Sequence, residues 1–352
     1  MFNEKILDEL EYMSTAVGTP VDYTQGGGGN TSVKLDDTLM AVKASGFKLK
    51  QITSREGYVV VNYKNIKEFH MNADMSSDRD MEKESSEFVQ KNIVETEGLK
   101  TLRPSVEAGF HSILKKYVIH THPVYANILC CAHKGREKVE EVFREKDYAI
   151  AWIPYIDPGF RLTLKIREKI AECMESRGKF PEVFFMENHG LIVTSDDSKK
   201  CVELHREINE SIKAYLGIGT AYPAIELFRI DDNTFASKTE YLADYFRKNK
   251  VGAGFLDEIV LYPDQLVYLN GNTAVGNFDK KLNINTTTGE IIYKTGYSEA
   301  RTIEEVLVAY VYVVNETRNR GFSVKTMSEK EIDFIGNWES EAYRKSLAGK
   351  EI

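Results

Sequence analysis

The amino-acid sequence predicts an α/β fold built in layers. Strand-like apolar runs alternate with helix-like patterns between residues 108 and 216, and this alternation is typical of a sheet covered by helices. Hydrophobic residues make up 42% of the chain and charged residues 28%, the composition of an ordinary globular protein. The 352 residues are enough for two domains. The pattern changes near Tyr222, and we therefore expect an α/β domain over residues 1–220 and a C-terminal α+β extension over residues 221–352.

Charge and composition exclude several classes of protein. The formal net charge of -8 gives no support to extensive nucleic-acid binding, and no long apolar run predicts a membrane span. The N-terminal residues are amphipathic and acidic and lack the pattern of a secretory signal, so we expect a cytoplasmic protein. The cysteines are too scattered for a disulfide framework or a CxxC metal site, and we expect reduced, mostly buried thiols. They are Cys130, Cys131, Cys173 and Cys201.

The first ninety residues are expected to contain one long helix and three strands. Apolar residues at helical spacing predict a helix over residues 3–17. Residues 33–43 have the pattern of two short strands joined at Asp36-Asp37, and Val59–Val61 has that of a buried strand. Residues 63–92 are strongly polar, which indicates a mobile surface segment or short helices.

Helices and strands alternate in the rest of the chain. Ser105 is a suitable N-cap for a helix over residues 108–116, and Trp152–Gly159 has the pattern of a proline-rich turn. Val183–Val193 has the form of two strands that break at Asn188-His189-Gly190. The remaining predicted elements are a strand over 118–123, helices over 125–134, 162–174 and 196–216, a helix near 237–249, strands over 258–262 and 265–269, a hairpin over 282–294, and helices near 302–320 and 328–347.

A run of four glycines, Gly26–Gly29, is followed by Asn30, Thr31 and Ser32. Glycines permit positive φ angles and close approach of a ligand to backbone N–H groups, so the run can bind a phosphate or a carboxylate. A flexible turn before a hairpin is the alternative. A dinucleotide fingerprint or a P-loop needs a helix after the glycines, and a strand is predicted there instead.

Three of the seven histidines have the spacing of a metal site. His120 and His122 stand one residue apart on a predicted strand, where alternate side chains point to the same face. His189 lies next to a glycine at a strand break, where site residues tend to be displayed. Zinc takes three or four ligands of this kind. The remaining histidines fit packed, hydrogen-bonded core residues; they are His70, His111, His133 and His205.

Six short motifs make the chain resemble the class II aldolase/adducin family. The resemblance covers residues 1–220, and the agreement of the motifs in the family's own order makes it more specific than any one of them. The motifs are Gly-Gly-Asn-Thr-Ser at 28–32, Ala-Ser-Gly at 44–46, Pro-Ser-Val-Glu at 104–107, His-Thr-His-Pro at 120–123, Pro-Tyr at 154–155 with Pro-Gly at 158–159, and Asn-His-Gly at 188–190.

The resemblance implies a three-layer α/β/α domain that binds zinc or another divalent metal ion. The metal ligands correspond to His120, His122 and His189. Glu107 corresponds to the catalytic acid/base, although its place in the first turn of a predicted helix favours, on local grounds, a partner for the helix dipole in solvent. The family's tyrosine proton donor, which reaches in from a neighbouring subunit, corresponds to Tyr155.

The resemblance also implies a phosphate-binding pocket and an oligomer. The phosphate-binding elements correspond to Gly29, Asn30, Ser45, Gly46 and Ser105. Such enzymes are typically tetramers with sites at subunit interfaces, so we expect a homotetramer. Val106 departs from the family's pattern, because many members have a second serine there. The short interval from Glu107 to His120 and the ending at 337–344 are similar to the aldolase half of fused rhamnulose-phosphate aldolase/dehydrogenase proteins.

The expected function is that of a zinc-dependent, aldolase-type lyase that cleaves a small phosphorylated ketose reversibly through an enediolate. Zinc stabilises the enediolate charge in such a reaction, and Glu107 moves the proton at the carbon next to the carbonyl. The same metal site is compatible with an epimerase, a dehydratase or a decarboxylase acting on a sugar phosphate. A non-catalytic, adducin-like interaction module is the alternative from another class, and the intact set of three histidines speaks against it.

Overall fold

Two β-sheets organise the protein, which a computed structural model describes over residues 4–73, 80–276 and 279–337. The first sheet has the strand order β3-β2-β1-β4-β7-β6-β5. Its neighbouring strands are antiparallel except for β5 and β6, which are parallel. The strands are β1 (Asn30–Lys34), β2 (Leu39–Lys43), β3 (Tyr58–Asn62), β4 (Tyr117–Thr121), β5 (Ala149–Ile153), β6 (Pro181–Met186) and β7 (Gly190–Ser195).

Helices cover both faces of this sheet. They are α1 (Glu4–Gly18), α2 (Tyr63–Asn72), α3 (Met81–Lys91), α4 (Ala108–Ile113), α5 (Val124–Cys130), α6 (Gly135–Val142), α7 (Phe160–Arg177) and α8 (Ser198–Tyr215). Ile119 of β4 faces a core shared with α1, α5 and α8, whereas its neighbour Val118 faces a core shared with α4 and α7. This alternation along one strand confirms the predicted three-layer α/β/α arrangement.

The second sheet belongs to the C-terminal extension and has the strand order β10-β11-β12-β9-β8. Its strands are β8 (Leu227–Asp231), β9 (Thr234–Ser237), β10 (Thr273–Val275), β11 (Leu282–Asn285) and β12 (Glu290–Lys294). Its helices are α9 (Glu240–Asn249), α10 (Phe255–Glu258), α11 (Pro263–Tyr268), α12 (Tyr297–Asn319) and α13 (Glu329–Asn337). The helix α12 is buried along most of its length and packs against α5, one of the helices that cover the first sheet.

One hydrophobic core runs through both regions. It includes Leu10 of α1, Ile128 of α5, Val308 of α12 and Ile335 of α13. Strands before and after residue 220 therefore belong to different sheets, whereas residues from both regions share one hydrophobic core. The division into domains at this residue stays a prediction. No helix within the described residues is long and apolar enough to cross a membrane.

Several predicted elements are confirmed by the structure. The long N-terminal helix, the two strands joined at Asp36-Asp37, the buried strand at Val59–Val61 and the pair of strands that break at Asn188-His189-Gly190 are all present. The polar segment 63–92 forms the helices α2 and α3, apart from residues 74–79, which lie outside the described residues. The four cysteines are unpaired, and three of them are buried.

Two predicted strands, at 258–262 and 265–269, are wrong. Residues 259–262 lie between α10 and α11, outside any helix or strand, and α11 begins at Pro263, where the fixed φ angle and missing N–H of proline are tolerated. The flanking Val260 and Leu261 are buried, and a short apolar run does not distinguish a buried strand from a buried helix.

Three smaller predictions also need correction. The helix expected over 108–116 ends at Ile113, and its N-cap is Glu107 rather than Ser105; the Ser105 hydroxyl accepts a hydrogen bond from the Glu107 N–H in the preceding turn. The predicted turn at Trp152–Gly159 begins with the last residues of β5. Residues 338–347 of the last predicted helix, and with them most of the ending at 337–344, lie outside the described residues.

The shared core predicts a single unfolding transition. Phe246 of α9 is fully buried in it, and we expect Phe246→Ala to lower the free energy of unfolding by about 3–5 kcal/mol because it leaves a cavity. Phe228→Ala is the matched control, since Phe228 is 58% exposed and should change stability by about 0.5 kcal/mol or less. Urea unfolding followed by fluorescence and circular dichroism measures both. Two separate transitions, only one of them shifted by Phe246→Ala, would contradict a shared core.

Candidate metal centre

The strand β4 places His120 at the centre of the first sheet. His120 pairs with Asn30 of β1 on one side and with Ile192 of β7 on the other. His122 follows the end of the strand, and the Nε2 atoms of the two imidazoles are 3.2 Å apart. Both rings are buried. The predicted side-by-side arrangement of the two histidines is present.

The turn between β6 and β7 carries His189 to the same place. Its ring centroid lies 5.0 Å from that of His120 and 5.2 Å from that of His122. Asn188 holds this turn in a left-handed conformation with φ of 49°, and its side-chain N–H groups donate to the carbonyls of Leu261, at 2.8 Å, and Lys325, at 2.9 Å. The C-terminal extension therefore anchors the turn that presents His189.

The three imidazoles are arranged to bind a metal ion. One nitrogen from each ring lies within 4.8 Å of the nitrogens of the other two rings. Among the described residues, these histidines are the cluster of three potential metal ligands that was found. The Nδ1–H of His120 donates to the carbonyl of Leu191 at 3.0 Å, and that of His122 donates to the carboxylate of Asp264 at 2.5 Å. These bonds leave the Nε2 lone pairs directed at each other. Burial lowers the pKa of His120 to about 4, so the ring is neutral at neutral pH, as a ligand must be.

Glu107 completes this group. Its Oε2 lies 3.4 Å from Nε2 of His120, and its Oε1 lies 3.6 Å from Nε2 of His189. Glu107 is only 6% exposed, and Oε1 has no hydrogen-bond partner among the described residues. A buried carboxylate oxygen without a partner is costly, and a cation bound beside the three imidazoles would provide one. The donor set fits a divalent metal ion. The interpretation of Glu107 as a solvated helix-dipole partner is wrong, because its side chain is buried.

A short chain of hydrogen bonds orients Glu107. Asn30 donates from Nδ2 to Oε2 of Glu107 at 2.7 Å. His111 in turn donates from Nε2 to the side-chain oxygen of Asn30, and its Nδ1 accepts from the hydroxyl of Ser32 at 2.6 Å. One oxygen of Glu107 is thereby held, and the other has no hydrogen-bond partner among the described residues. This role of His111 was not predicted from the sequence.

His122, His189 and Glu107 line a cleft that also contains a polar pocket. All five residues predicted to bind phosphate line it, together with Gly27 and Lys43. Gly29 and Gly46 have φ angles of 67° and 91°, which favour glycine. A side chain at Gly29 would also come within 2.6 Å of the His120 carbonyl. The residues of this polar pocket are Gly27, Gly29, Asn30, Lys43, Ser45, Gly46 and Ser105.

Lys43 is a site residue that was not predicted from the sequence. It is the last residue of β2 and only 3% exposed, and its ammonium donates to the Gly27 carbonyl at 3.3 Å. The sequence could have indicated this role, because Lys43 ends an otherwise apolar strand and lies two residues before Ser45-Gly46. It gives the polar pocket a buried positive charge.

The C-terminal extension forms another wall of the cleft. Pro263 and Asp264 of α11 line it, and Glu305 of α12 accepts a hydrogen bond from the Gly26 N–H at 3.0 Å. A side chain at Gly26 would come within 2.8 Å of Thr302. The glycine run is thus packed directly against the extension, so the alternative of a flexible turn does not describe it.

The remaining predicted site residue, Tyr155, is absent from the described residues that line the cleft. It is half-buried, and its backbone N–H donates to Glu187 at 3.2 Å. Three of the four histidines predicted to be core residues are buried and hydrogen-bonded; they are His70, His111 and His205. The prediction is wrong for His133, which is exposed.

Comparison with known proteins agrees with the motifs. The sequence model of the family described as the class II aldolase and adducin N-terminal domain matches residues 21–216. The chain is similar to the uncharacterized oxidoreductase YuxG of Bacillus subtilis, with 28% identity over 221 residues. That match covers 60% of this chain and only 30% of the relative, so the chain spans less than a third of that relative's length.

Two further proteins are similar to part of the chain. One is the 3-oxo-tetronate 4-phosphate decarboxylase of Haemophilus influenzae, with 24% identity over 55% of this chain and 79% of the relative. The other is the solved N-terminal class II aldolase domain of a conserved protein from Thermoplasma acidophilum. It is 24% identical, covers 60% of this chain and 93% of the other, and has a TM-score of 0.49.

Proposed function

The chain belongs to the class II aldolase and adducin family, and we propose that it is a divalent-metal-dependent lyase that cleaves a small phosphorylated ketose by a reversible aldol reaction. His120, His122 and His189 hold the metal ion in this proposal, and zinc is the expected metal because three imidazoles with an open position suit it. Glu107 is the acid/base. The residues of the polar pocket bind the phosphate.

A single feature carries the proposal. Beside the fully buried His120, one cleft is lined by two further buried imidazoles, a buried carboxylate with an unpartnered oxygen, and a polar pocket with a buried lysine. A scaffold protein has no need for this combination, and burying it without a ligand is costly. The alternative of a non-catalytic interaction module is therefore disfavoured.

Glu107 moves the proton in the proposed reaction. A divalent ion bound by the histidines supplies Lewis-acid stabilisation for the negative charge that develops on the substrate's carbonyl oxygen. In the cleavage direction the hydroxyl on the carbon that becomes the aldehyde gives up its proton to Tyr155, the carbon–carbon bond breaks, its electron pair forms the enediolate, and Glu107 gives a proton to carbon. In the condensation direction Glu107 takes the proton from carbon, and Tyr155 returns its proton to that oxygen. The hydrogen bond from Asn30 holds one carboxylate oxygen, so the other is the oxygen that exchanges the proton.

The polar pocket suits a phosphate ester. Gly29 and Gly46 offer backbone N–H groups, Ser45 offers a hydroxyl, and Lys43 offers an ammonium that makes a charge-assisted hydrogen bond to an anion. The relative from Haemophilus influenzae is named for a phosphorylated substrate, which supports the same class of ligand here. Val106 also lines the cleft, so one hydroxyl that many family members supply is replaced by an apolar side chain.

Tyr155 remains our candidate for the proton donor to oxygen. Among the described residues it does not line the cleft of its own chain, and its hydroxyl is buried within that chain, so this assignment rests on the Pro-Tyr motif, whose family counterpart reaches in from a neighbouring subunit. We therefore propose a homo-oligomer, most simply a tetramer, with sites where subunits meet.

Decarboxylation, epimerisation and dehydration through the same enediolate are the competing reactions. The decarboxylase similar to this chain favours decarboxylation among them. Epimerisation and dehydration use the same metal ligands and the same acid/base, so the geometry of the cleft fits them equally.

A substrate panel tests the proposal. We expect the zinc-loaded protein, incubated with 1- and 5-phosphorylated sugars, to produce two smaller fragments that mass spectrometry detects. An isomer of unchanged mass would indicate an epimerase, loss of water a dehydratase, and loss of carbon dioxide a decarboxylase. His189→Ala should lose both bound metal and turnover. If it kept both, the assignment of the metal centre would be wrong.

Glu107→Gln should separate metal binding from proton transfer. The amide keeps the shape of the side chain and removes the base, so we expect metal binding to persist and proton exchange to fall by roughly 100- to 10,000-fold. Proton NMR in D2O measures exchange at the carbon next to the carbonyl of a phosphorylated hydroxyketone. Glu182→Gln is the matched control, since the partly exposed Glu182 pairs with Lys115 and does not line the cleft. An unchanged exchange rate in Glu107→Gln would rule out this base.

Lys43→Met should weaken binding of the phosphate. Loss of one hydrogen bond from a charged group costs about 1.5–3 kcal/mol, so we expect KM for a phosphorylated substrate to rise roughly 10- to 100-fold. KM for the sugar without phosphate should change little. Lys50→Met, at an exposed position, is the control. An equal rise for both substrates would show that Lys43 does not recognise the phosphate.

A further inference from the structure

Asp264 reaches the metal centre from the C-terminal extension. It is the second residue of α11 and only 1% exposed. Its Oδ2 lies 2.5 Å from Nδ1 of His122, although 142 positions separate the two residues. The contact therefore links the second region of the chain directly to a residue of the first region's metal-binding group.

The position of Asp264 on the ring defines what it can do. Nδ1 and Nε2 lie on opposite sides of an imidazole, and Nε2 of His122 faces His120 at 3.2 Å. Asp264 is thus behind the ligand and is not itself one. A carboxylate that accepts from Nδ1–H fixes the tautomer and orientation of a metal-binding histidine and raises the basicity of the other nitrogen. His120 has only a neutral carbonyl in the corresponding place.

Asp264 is itself held firmly. The next residue, Gln265, accepts from the Leu261 N–H at 2.8 Å and donates to the Leu256 carbonyl at 2.7 Å. Leu261 in turn accepts from Asn188, beside His189. The start of α11 and the turn that presents His189 are therefore parts of one hydrogen-bonded structure.

Gly28 leaves room for this pair. A side chain at Gly28 would come within 2.8 Å of Oδ2 of Asp264 and within 2.9 Å of Nδ1 of His122. The backbone of the glycine run thus lies directly against the hydrogen bond between the two residues and helps to exclude water from it. A hydrogen bond of this kind is stronger when it is buried.

We propose that Asp264 is a positioning residue for the metal centre, so that the C-terminal extension completes a site whose ligands all lie in the first 220 residues. The inference rests on the metal centre of the proposed function. It goes further in assigning a part of that centre to the extension. A merely structural Asp264 would stabilise the fold without affecting how His122 binds a metal ion.

Cobalt binding to the full-length, metal-free protein tests the proposal, because Co2+ reports its ligand geometry by visible absorption. We expect Asp264→Ala to raise the Kd for Co2+ by about 10- to 100-fold, the usual effect of losing such a partner. Asp264→Asn should shift the cobalt spectrum, since the amide still accepts a hydrogen bond but carries no charge. Asp264→Glu should restore part of the affinity. Asp257→Asn, an exposed acid of α10, is the matched control and should behave as wild type.

The outcomes separate this inference from the proposed function. If wild-type protein binds no Co2+ at the histidines, the metal centre fails and the inference fails with it. If wild type binds Co2+ and the Asp264 variants match its Kd and spectrum, the inference alone is overturned. Should Asp264→Ala not fold, Asp264→Asn decides, because it preserves size. Its Tm without metal distinguishes a loss of stability from a loss of metal affinity.

Discussion

The register of β4 between β1 and β7 is the constraint on which the site depends. It sets Asn30 opposite His120 on one side and Ile192 opposite His120 on the other. A shift of one residue would turn His120 to the opposite face of the sheet and separate it from both Glu107 and His189. The apolar residues on the two faces of β4, which belong to different cores, make that shift costly. The helices on either face of the sheet therefore protect the geometry of the metal centre.

Burial is the second physical condition. Three imidazoles and the carboxylate of Glu107 are buried close together, and such groups are stable there only when their polar atoms have partners. The second region of the molecule contributes to this burial through α11 and α12, which pack against the glycine run and against the turn that carries His189. Because one core joins both regions, movement of the extension would change the metal centre. Fold stability and site geometry are for this reason coupled in the protein.

Local patterns were sufficient to find the parts of the site that lie on single elements. Alternation along one strand paired His120 with His122, and the break in an apolar run located His189. The motif order added Glu107 and the five residues predicted to bind phosphate, and the family match agrees with it. The contacts that the sequence could not show join distant positions. Asp264 with His122 and Glu305 with Gly26 depend on how α11 and α12 pack, and the predicted strands around Pro263 were wrong because a short buried run has no helical period.

The central claim is that His120, His122 and His189 bind one metal ion beside Glu107 in a site closed by the C-terminal extension. Anomalous diffraction from crystals of the zinc-loaded protein, recorded at the zinc absorption edge, tests it most directly. We expect a peak about 2.0–2.1 Å from each of the three Nε2 atoms, with Asp264 still bonded to Nδ1 of His122. A peak at any other place, or none between the histidines at full zinc loading, would contradict the claim.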